Sequence, residues 1–178
     1  MTGNGMRING QKPQKSMTID DYQPDDLSSL IKVYNDATRA LNWEELSEAQ
    51  RGVVLYDKPE DAEEFAHYLE DSVTLVAREN GTVLGFVTMT CEGTDGFIPF
   101  FYVDPQFTGR GIGRRLQHTL EKRARERSVT TLSCHTSAYA KPIYEKLGFT
   151  DRGIDPWQVE RDNGEIVVFN DHLMVKEL

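Results

Sequence analysis

The stretch Phe97-Ile98-Pro99-Phe100-Phe101-Tyr102-Val103-Asp104-Pro105-Gln106-Phe107-Thr108-Gly109-Arg110-Gly111-Ile112-Gly113 decides the fold. From Phe97 to Val103 nearly every residue is apolar, the texture of a central strand covered on both faces, and Pro105 ends it. Glycines then alternate at 109, 111 and 113, and Ile112, Leu116, Leu120 and Ala124 recur at a spacing of four, which predicts a helix over about 111–127. A strand over 129–134 comes next. Strand, turn, helix and strand in that order build a mixed α/β sheet with helices on both faces.

Working outward, Asn80-Gly81 separates the β-rich runs 73–77 and 83–87, as a type I′ hairpin requires. Further upstream Asp25 or Asp26 can cap a helix carrying Leu27, Leu30, Ile31, Val33 and Tyr34, which extends to about residue 41. A second helical region is read over 44–50, and Pro59 with Glu60-Asp61 opens a third helix that places Ala62, Phe65, Ala66 and Leu69 on one face. Downstream, a short helix over 137–147 stops at Gly148, and two strands flank Asn163-Gly164. Residues 1–16 have hardly an apolar side chain and are expected to form a loose tail ahead of one domain over 17–178.

Net charge is −9, yet residues 109–127 hold seven basic side chains against Glu121 and Glu126, a local +5 that leaves −14 on the rest. A basic island in an acidic chain suits a small anionic ligand and argues against nucleic acid as a partner, which calls for a broader positive footprint. No apolar run could span a bilayer and residues 1–17 lack the apolar core of a signal peptide, so a cytosolic protein with no membrane partner is expected. Cys91 and Cys134 form no C-x-x-C pair and suggest neither a disulfide framework nor a metal site.

Where a strand runs out into glycines that open a helix, the first N–H groups of the helix lack partners and the helix dipole adds positive potential, so phosphate is a natural occupant. Gly109, Gly111 and Gly113 would let the backbone approach a pyrophosphate, with Arg110 and Arg114 at its edge. A dinucleotide fingerprint fails at Arg114 or Leu116, and no Gly-Lys-Ser/Thr tripeptide exists for a P-loop. Two segments instead resemble the GNAT superfamily of N-acetyltransferases. Gln106-Phe107-Thr108-Gly109-Arg110-Gly111 matches its Q/R-x-x-G-x-G/A signature, and 137–149, from Ser137 through Ala140 and Tyr144 to Gly148-Phe149, is similar to its S/N-x-x-A-x-x-x-Y-x-x-x-G-F segment. The resemblance implies a mostly antiparallel sheet whose fourth and fifth strands splay, with acetyl-CoA as co-substrate and no metal. It implies cofactor contacts at Phe101, Tyr102, Val103, Gln106, Gly109, Arg110, Gly111, Ile112, Gly113, Arg114, Ser137 and Tyr144; at Ser137 many members carry asparagine.

Acyl transfer to an amine needs a neutral nucleophile, a cradle for the oxyanion and a proton for the departing thiolate. Tyr144 matches the family's catalytic tyrosine, a phenol able to protonate the thiolate, although Ala140, Ile143, Tyr144 and Leu147 share a helical face on which a tyrosine also packs as core. The base is not legible. Glu44, Glu45 and Glu48 lie on the acceptor side in this family; Trp43, Trp157 and His135 are further candidates for the acceptor pocket. Cys134 and His135, neighbours on a strand, point to opposite faces and do not form a nucleophile pair. The expected activity is acetyl transfer to a primary amine of a small molecule in a ternary complex. A protein or peptide amine, or an acyl-CoA-binding module without turnover, are the alternatives, and a homodimer is an open assembly.

Overall fold

The computed structural model describes residues 16–41, 43–161 and 163–178. The tail expected over 1–16 lies outside the described residues, apart from Ser16. Among the described residues one sheet runs in the order β1-β2-β3-β4-β5-β7-β6. Its strands are β1 (Thr18–Asp21), β2 (Val73–Glu79), β3 (Thr82–Glu92), β4 (Asp95–Val103), β5 (Thr131–Thr136), β6 (Thr150–Glu160) and β7 (Ile166–Glu177). Only β4 and β5 pair in parallel; the other neighbours are antiparallel. The helices are α1 (Leu27–Leu41), α2 (Glu48–Val54), α3 (Pro59–Glu70), α4 (Ile112–Glu126) and α5 (Lys141–Lys146).

Two cores follow from the two faces of the sheet. On one, Leu30, Val33 and Tyr34 of α1 and Phe65 and Leu69 of α3 meet Val76, Val83, Phe86 and Phe100. On the other, the four-residue repeat of α4 meets Leu75, Ala77, Leu84, Val87, Met89, Leu132, Cys134 and Met174. Asn80 and Gly81 take positive φ (52° and 81°), as the type I′ turn between β2 and β3 demands.

Three elements differ from the sequence reading. The strand β1, Thr-Ile-Asp-Asp, has one apolar residue and no readable alternation; pairing with β2 and the Arg123–Asp21 ion pair (3.1 Å) hold it in place. The second helix starts at Glu48 rather than 44, because Ser47 and Gln50 form a reciprocal capping box (3.2 and 2.9 Å) and Trp43–Glu45 makes a separate turn. The last helix begins at Lys141, which puts Pro142 in its first turn, where no intrahelical N–H is needed.

The decisive irregularity is in β4. Phe100 pairs with Thr88 and Phe97 with Thr90, so Ile98 and Pro99 together oppose Met89, a β-bulge that bends the strand. Pairing with β5 stops there too: Asp95, Gly96 and Phe97 match Thr131, Leu132 and Ser133, and nothing beyond does. From Ile98 onward β4 stays with β3 while β5 stays with β7, so the sheet opens as a V. The bulge also exchanges faces, which puts Phe97, Phe100 and Tyr102 on the α1–α3 side and Ile98, Phe101 and Val103 on the α4 side.

Keeping β4 seated on β3 depends on Gly85, where an added Cβ would come within 2.7 Å of the Tyr102 carbonyl oxygen and 3.1 Å of Val103 Cα. Backbone cannot step aside as a side chain can, so Gly85→Ala should lower unfolding free energy by about 1–3 kcal/mol. Chemical denaturation would measure this, and an unchanged midpoint would contradict the register.

Candidate active site

The turn after β4 is assembled by its own side chains. Asp104, buried, accepts from the Gln106 N–H (2.9 Å) and starts the short turn Pro105–Phe107, which leaves the Gln106 side chain exposed beside the chain that follows. Gly109 and Gly111 then take φ of 77° and 75°, the left-handed region in which a side chain is strained. Gly111 caps α4 without a side-chain acceptor, and Arg115 N–H is the first to bond back, to the Gly111 carbonyl. The N–H groups at Gly111, Ile112, Gly113 and Arg114 are therefore free of intrahelical partners. A Cβ added at Gly109 or Gly111 would meet nothing within 4 Å, so space lies over this cradle.

The charges divide by task. Arg110 pairs with Glu79 (2.8 Å) at the rim of the cradle, and Arg114 is exposed with no ion pair among the described residues. Arg115 donates to the Met17 carbonyl and Arg123 to Asp21, so two of the seven basic residues fasten β1 to α4. The Ile112 side chain is core, 2% exposed, and only its backbone belongs to the cradle. Gly113 lies against the Phe101 ring and Val103, each 3.9 Å from its would-be Cβ, which links the turn to the split strand.

Backbone direction along β4 follows from register. Asp104 N–H donates to the Leu84 carbonyl (2.9 Å), so Phe86–Tyr102 and Thr88–Phe100 are the hydrogen-bonded pairs. Phe101 and Val103 fall between these pairs, and their N–H and C=O groups turn away from β3 into the split. Tyr102, expected with them, turns its backbone to β3 and its ring to Tyr34, at 4.7 Å between centroids. Burial, then the neighbouring phenols Tyr144 and Tyr56 and the Asp171 carboxylate, push the Tyr102 hydroxyl above its ordinary range.

Across the split, α5 places Tyr144 between Phe101 (6.1 Å) and Phe149 (5.5 Å), both edge-to-face. Burial, with the Cys134 thiol beside it, holds the Tyr144 hydroxyl well above its usual range; burial pushes Cys134 itself up to about 12. Both groups thus stay protonated at neutral pH. Ser137, half-buried, uses its hydroxyl to cap the turn into α5 through the Ala140 N–H (3.3 Å).

A family model described as "Acetyltransferase (GNAT) domain" matches residues 44–161. The chain belongs to the GNAT acetyltransferase family. It is 38% identical over 84 residues to an IAA acetyltransferase of Azospirillum brasilense, an alignment covering 44% of this chain and 55% of that one, so the chain spans about half of that relative. A solved GCN5-related N-acetyltransferase from Rhodopseudomonas palustris superposes with a TM-score of 0.76 at 26% identity, over 95% of this chain and all of that one. The PaiA N-acetyltransferase of Thermoplasma acidophilum, solved with coenzyme A, shares the fold with a TM-score of 0.68 at 19% identity, over 92% of this chain and 99% of that one. Among the described residues of this GNAT domain no helix is long and apolar enough to cross a membrane.

The acceptor side of the GNAT domain differs from the sequence reading in its membership. Glu44, Glu45 and Glu48 are exposed, and Trp43 packs under Arg51, whose guanidinium lies 5.3 Å from its ring centre. These four sit around α2 with no hydrogen bond to β4 or β5 among the described residues. His135 does line the split, in edge contact with Phe97 (5.6 Å), on the face opposite Cys134. Sequence reasoning missed Asp155, whose carboxylate accepts from His135 Nε2 at 2.8 Å, and Asp171, which accepts from Trp157 Nε1 at 2.8 Å. Trp157 in turn stacks on Phe169 (4.2 Å, 9°). No motif marks these residues; the strand alternation of β6 and β7 could have put them on one face, but not against β5.

The burial of Tyr144 has a direct optical consequence. The chain has seven tyrosines, and removing one that ionises above the ordinary range near pH 10 should leave the absorbance rise around pH 10 unchanged. Tyr144→Phe should therefore lose phenolate absorbance only at more alkaline pH or after unfolding. A loss within the ordinary window would contradict the burial.

Proposed function

We propose that the protein transfers the acetyl group of acetyl-CoA to a primary amine of a small molecule, directly and within a ternary complex. The observation that carries this reading is the parting of β4 from β5 immediately before a turn of unpartnered helix N–H groups. The split, in this reading, receives the thioester and the turn receives the pyrophosphate of one ligand. In this reading Gly109, Gly111, Gly113 and the N–H groups through Arg114 hold the pyrophosphate, with Gln106, Arg110 and Ser137 at its margins. The Phe101 and Val103 N–H groups meet the pantetheine arm and the acetyl carbonyl; one directed at that oxygen stabilises the charge it acquires on attack, worth roughly 3–4 kcal/mol in comparable sites.

Tyr144 supplies the proton for the thiolate. Its raised pKa exceeds that of an ordinary thiol, near 8.5, so outright donation would run uphill. The transfer balances if the phenol recovers a proton from the acceptor nitrogen, which must lose one anyway as the amide forms. Support for a small acceptor comes from the relative named as an IAA acetyltransferase, and an acetyl-CoA consumption screen over polyamines, amino acids, aminoglycosides and N-terminal peptides tests the class.

Gly111→Glu sets a side chain at positive φ, costing about 1–2 kcal/mol, and aims a carboxylate at the cradle. Calorimetry should find acetyl-CoA binding lost with the fold retained; unchanged affinity would contradict the cradle. Tyr144→Phe keeps the ring between Phe101 and Phe149 and removes only the hydroxyl. Turnover should fall about 10²-fold or more while acetyl-CoA affinity holds. An unchanged rate would remove Tyr144 from the chemistry and leave it as packing.

A further inference from the structure

The reaction needs a group to take the proton from the acceptor's ammonium, and the residues around the split offer one that motif reading could not rank. We propose that His135 is the general base of this acetyltransferase and that Asp155 is the residue that positions it. The inference rests on the acyl-transfer reading above and adds to it the residue that makes the amine nucleophilic.

Placement comes first. Phe97 and Ser133 are the last paired residues of β4 and β5, and His135 lies two residues further along β5, where the strands have parted. Strand alternation puts Cys134 on the α4 side, against Tyr144, and His135 on the other side, against Phe97. Consecutive residues of β5 thus set Cys134, with the Tyr144 hydroxyl of α5 beside it, on one face of the split and the His135 imidazole on the opposite face. An amine entering from the α1–α3 side would meet His135, while the thiol departs toward Tyr144. The imidazole side chain is 24% exposed, buried enough to be held and open enough to be reached.

Orientation comes second. His135 Nε2 lies 2.8 Å from Asp155 Oδ2, and the carboxylate fixes the tautomer with the proton on Nε2. Nδ1 has no hydrogen-bond partner among the described residues, which leaves its lone pair for a substrate proton. The charged groups around the ring are Asp155 from β6 and Asp171 from β7; β4 contributes Phe97 and β7 also Leu173, across the ladder from His135. Asp155 and Asp171 are directly opposite one another, an arrangement that repels, and among the described residues neither pairs with a lysine or arginine. An arriving ammonium relieves that repulsion.

The step balances as follows. The ammonium gives one proton to His135 Nδ1, directly or through one water. The neutral nitrogen then bonds to the thioester carbon. As the C–S bond breaks, sulfur takes the Tyr144 proton, and the second nitrogen proton returns to the phenolate. The imidazolium releases its proton to solvent, so acetyl-CoA and ammonium yield amide, CoA thiol and one H⁺.

The experiment compares wild type, His135→Ala and Asp155→Ala using the best amine from the screen, with acetyl-CoA affinity measured separately. His135→Ala should lower kcat/KM at neutral pH about 10²-fold, with acetyl-CoA affinity within about twofold. Free imidazole should restore about a tenth or more of the lost rate, which a packing defect would not allow. Asp155→Ala should cost about tenfold, and ¹⁵N spectra should show His135 as the Nε2–H tautomer in wild type and as a mixture in the variant. A His135→Ala rate within threefold of wild type, or a loss that imidazole leaves untouched, overturns the proposal. If the wild type acetylates no amine in the screen, the acceptor reading has failed; the tautomer then decides the dyad alone, and identical spectra with and without Asp155 overturn it.

Discussion

The bulge at Ile98-Pro99 is the constraint on which the rest of the molecule depends. A seven-strand sheet with every ladder complete would leave no backbone donors in its middle, because each interior N–H is taken by a neighbour. Two residues of β4 set against Met89 bend the strand away from β5 just as pairing would continue, and proline at the second of them has no N–H to offer that ladder. The cost of broken pairing is met by packing on the two faces of the sheet: α1 and α3 cover one, and on the other α4 packs against both arms of the V at once, Leu84 and Val87 on one and Leu132 and Cys134 on the other. What results is a slot of main-chain donors with apolar walls, the environment in which a hydrogen bond to developing charge is strongest.

The slot would have little use without the turn that follows it. Val103 leads into Asp104, whose carboxylate organises the chain so that α4 starts within a few residues of the opening. Gly113 packs on Phe101 and Val103, so helix start and open strand move as one body. On the far side, Gly148 in the left-handed region ends α5 and returns Phe149 against Tyr144, which fixes the phenol from below while Phe101 holds it from the side. Tyr144 is thereby held by aromatic packing on both sides.

Much of this was legible in the sequence. The helical repeat of α4, the Asn-Gly hairpin, the apolar β4 and the glycine turn are local patterns, and local patterns are what a single chain displays. The family's two motifs added the splay of the fourth and fifth strands, which the register bears out. What escaped depended on distant partners. β1 carries almost no apolar signal and is defined by its neighbours; the start of α2 is the local exception, set by the capping pair Ser47 and Gln50. Asp155 and Asp171 could not be placed because the order β5-β7-β6, which carries them toward His135, is a property of topology. The same holds for the basic island, of which Arg115 and Arg123 serve β1.

The central claim is that the open edge of β4 receives the thioester, and backbone amide resonances report it most directly. On titration with acetyl-CoA, the Phe101 and Val103 amides should shift strongly together with those of Gly111 through Arg114, while the Tyr102 amide, already bonded to β3, should stay near its free position. Shifts confined to the turn, with Phe101 and Val103 unmoved at saturation, would contradict the account, as the split would then play no part in holding the acyl group.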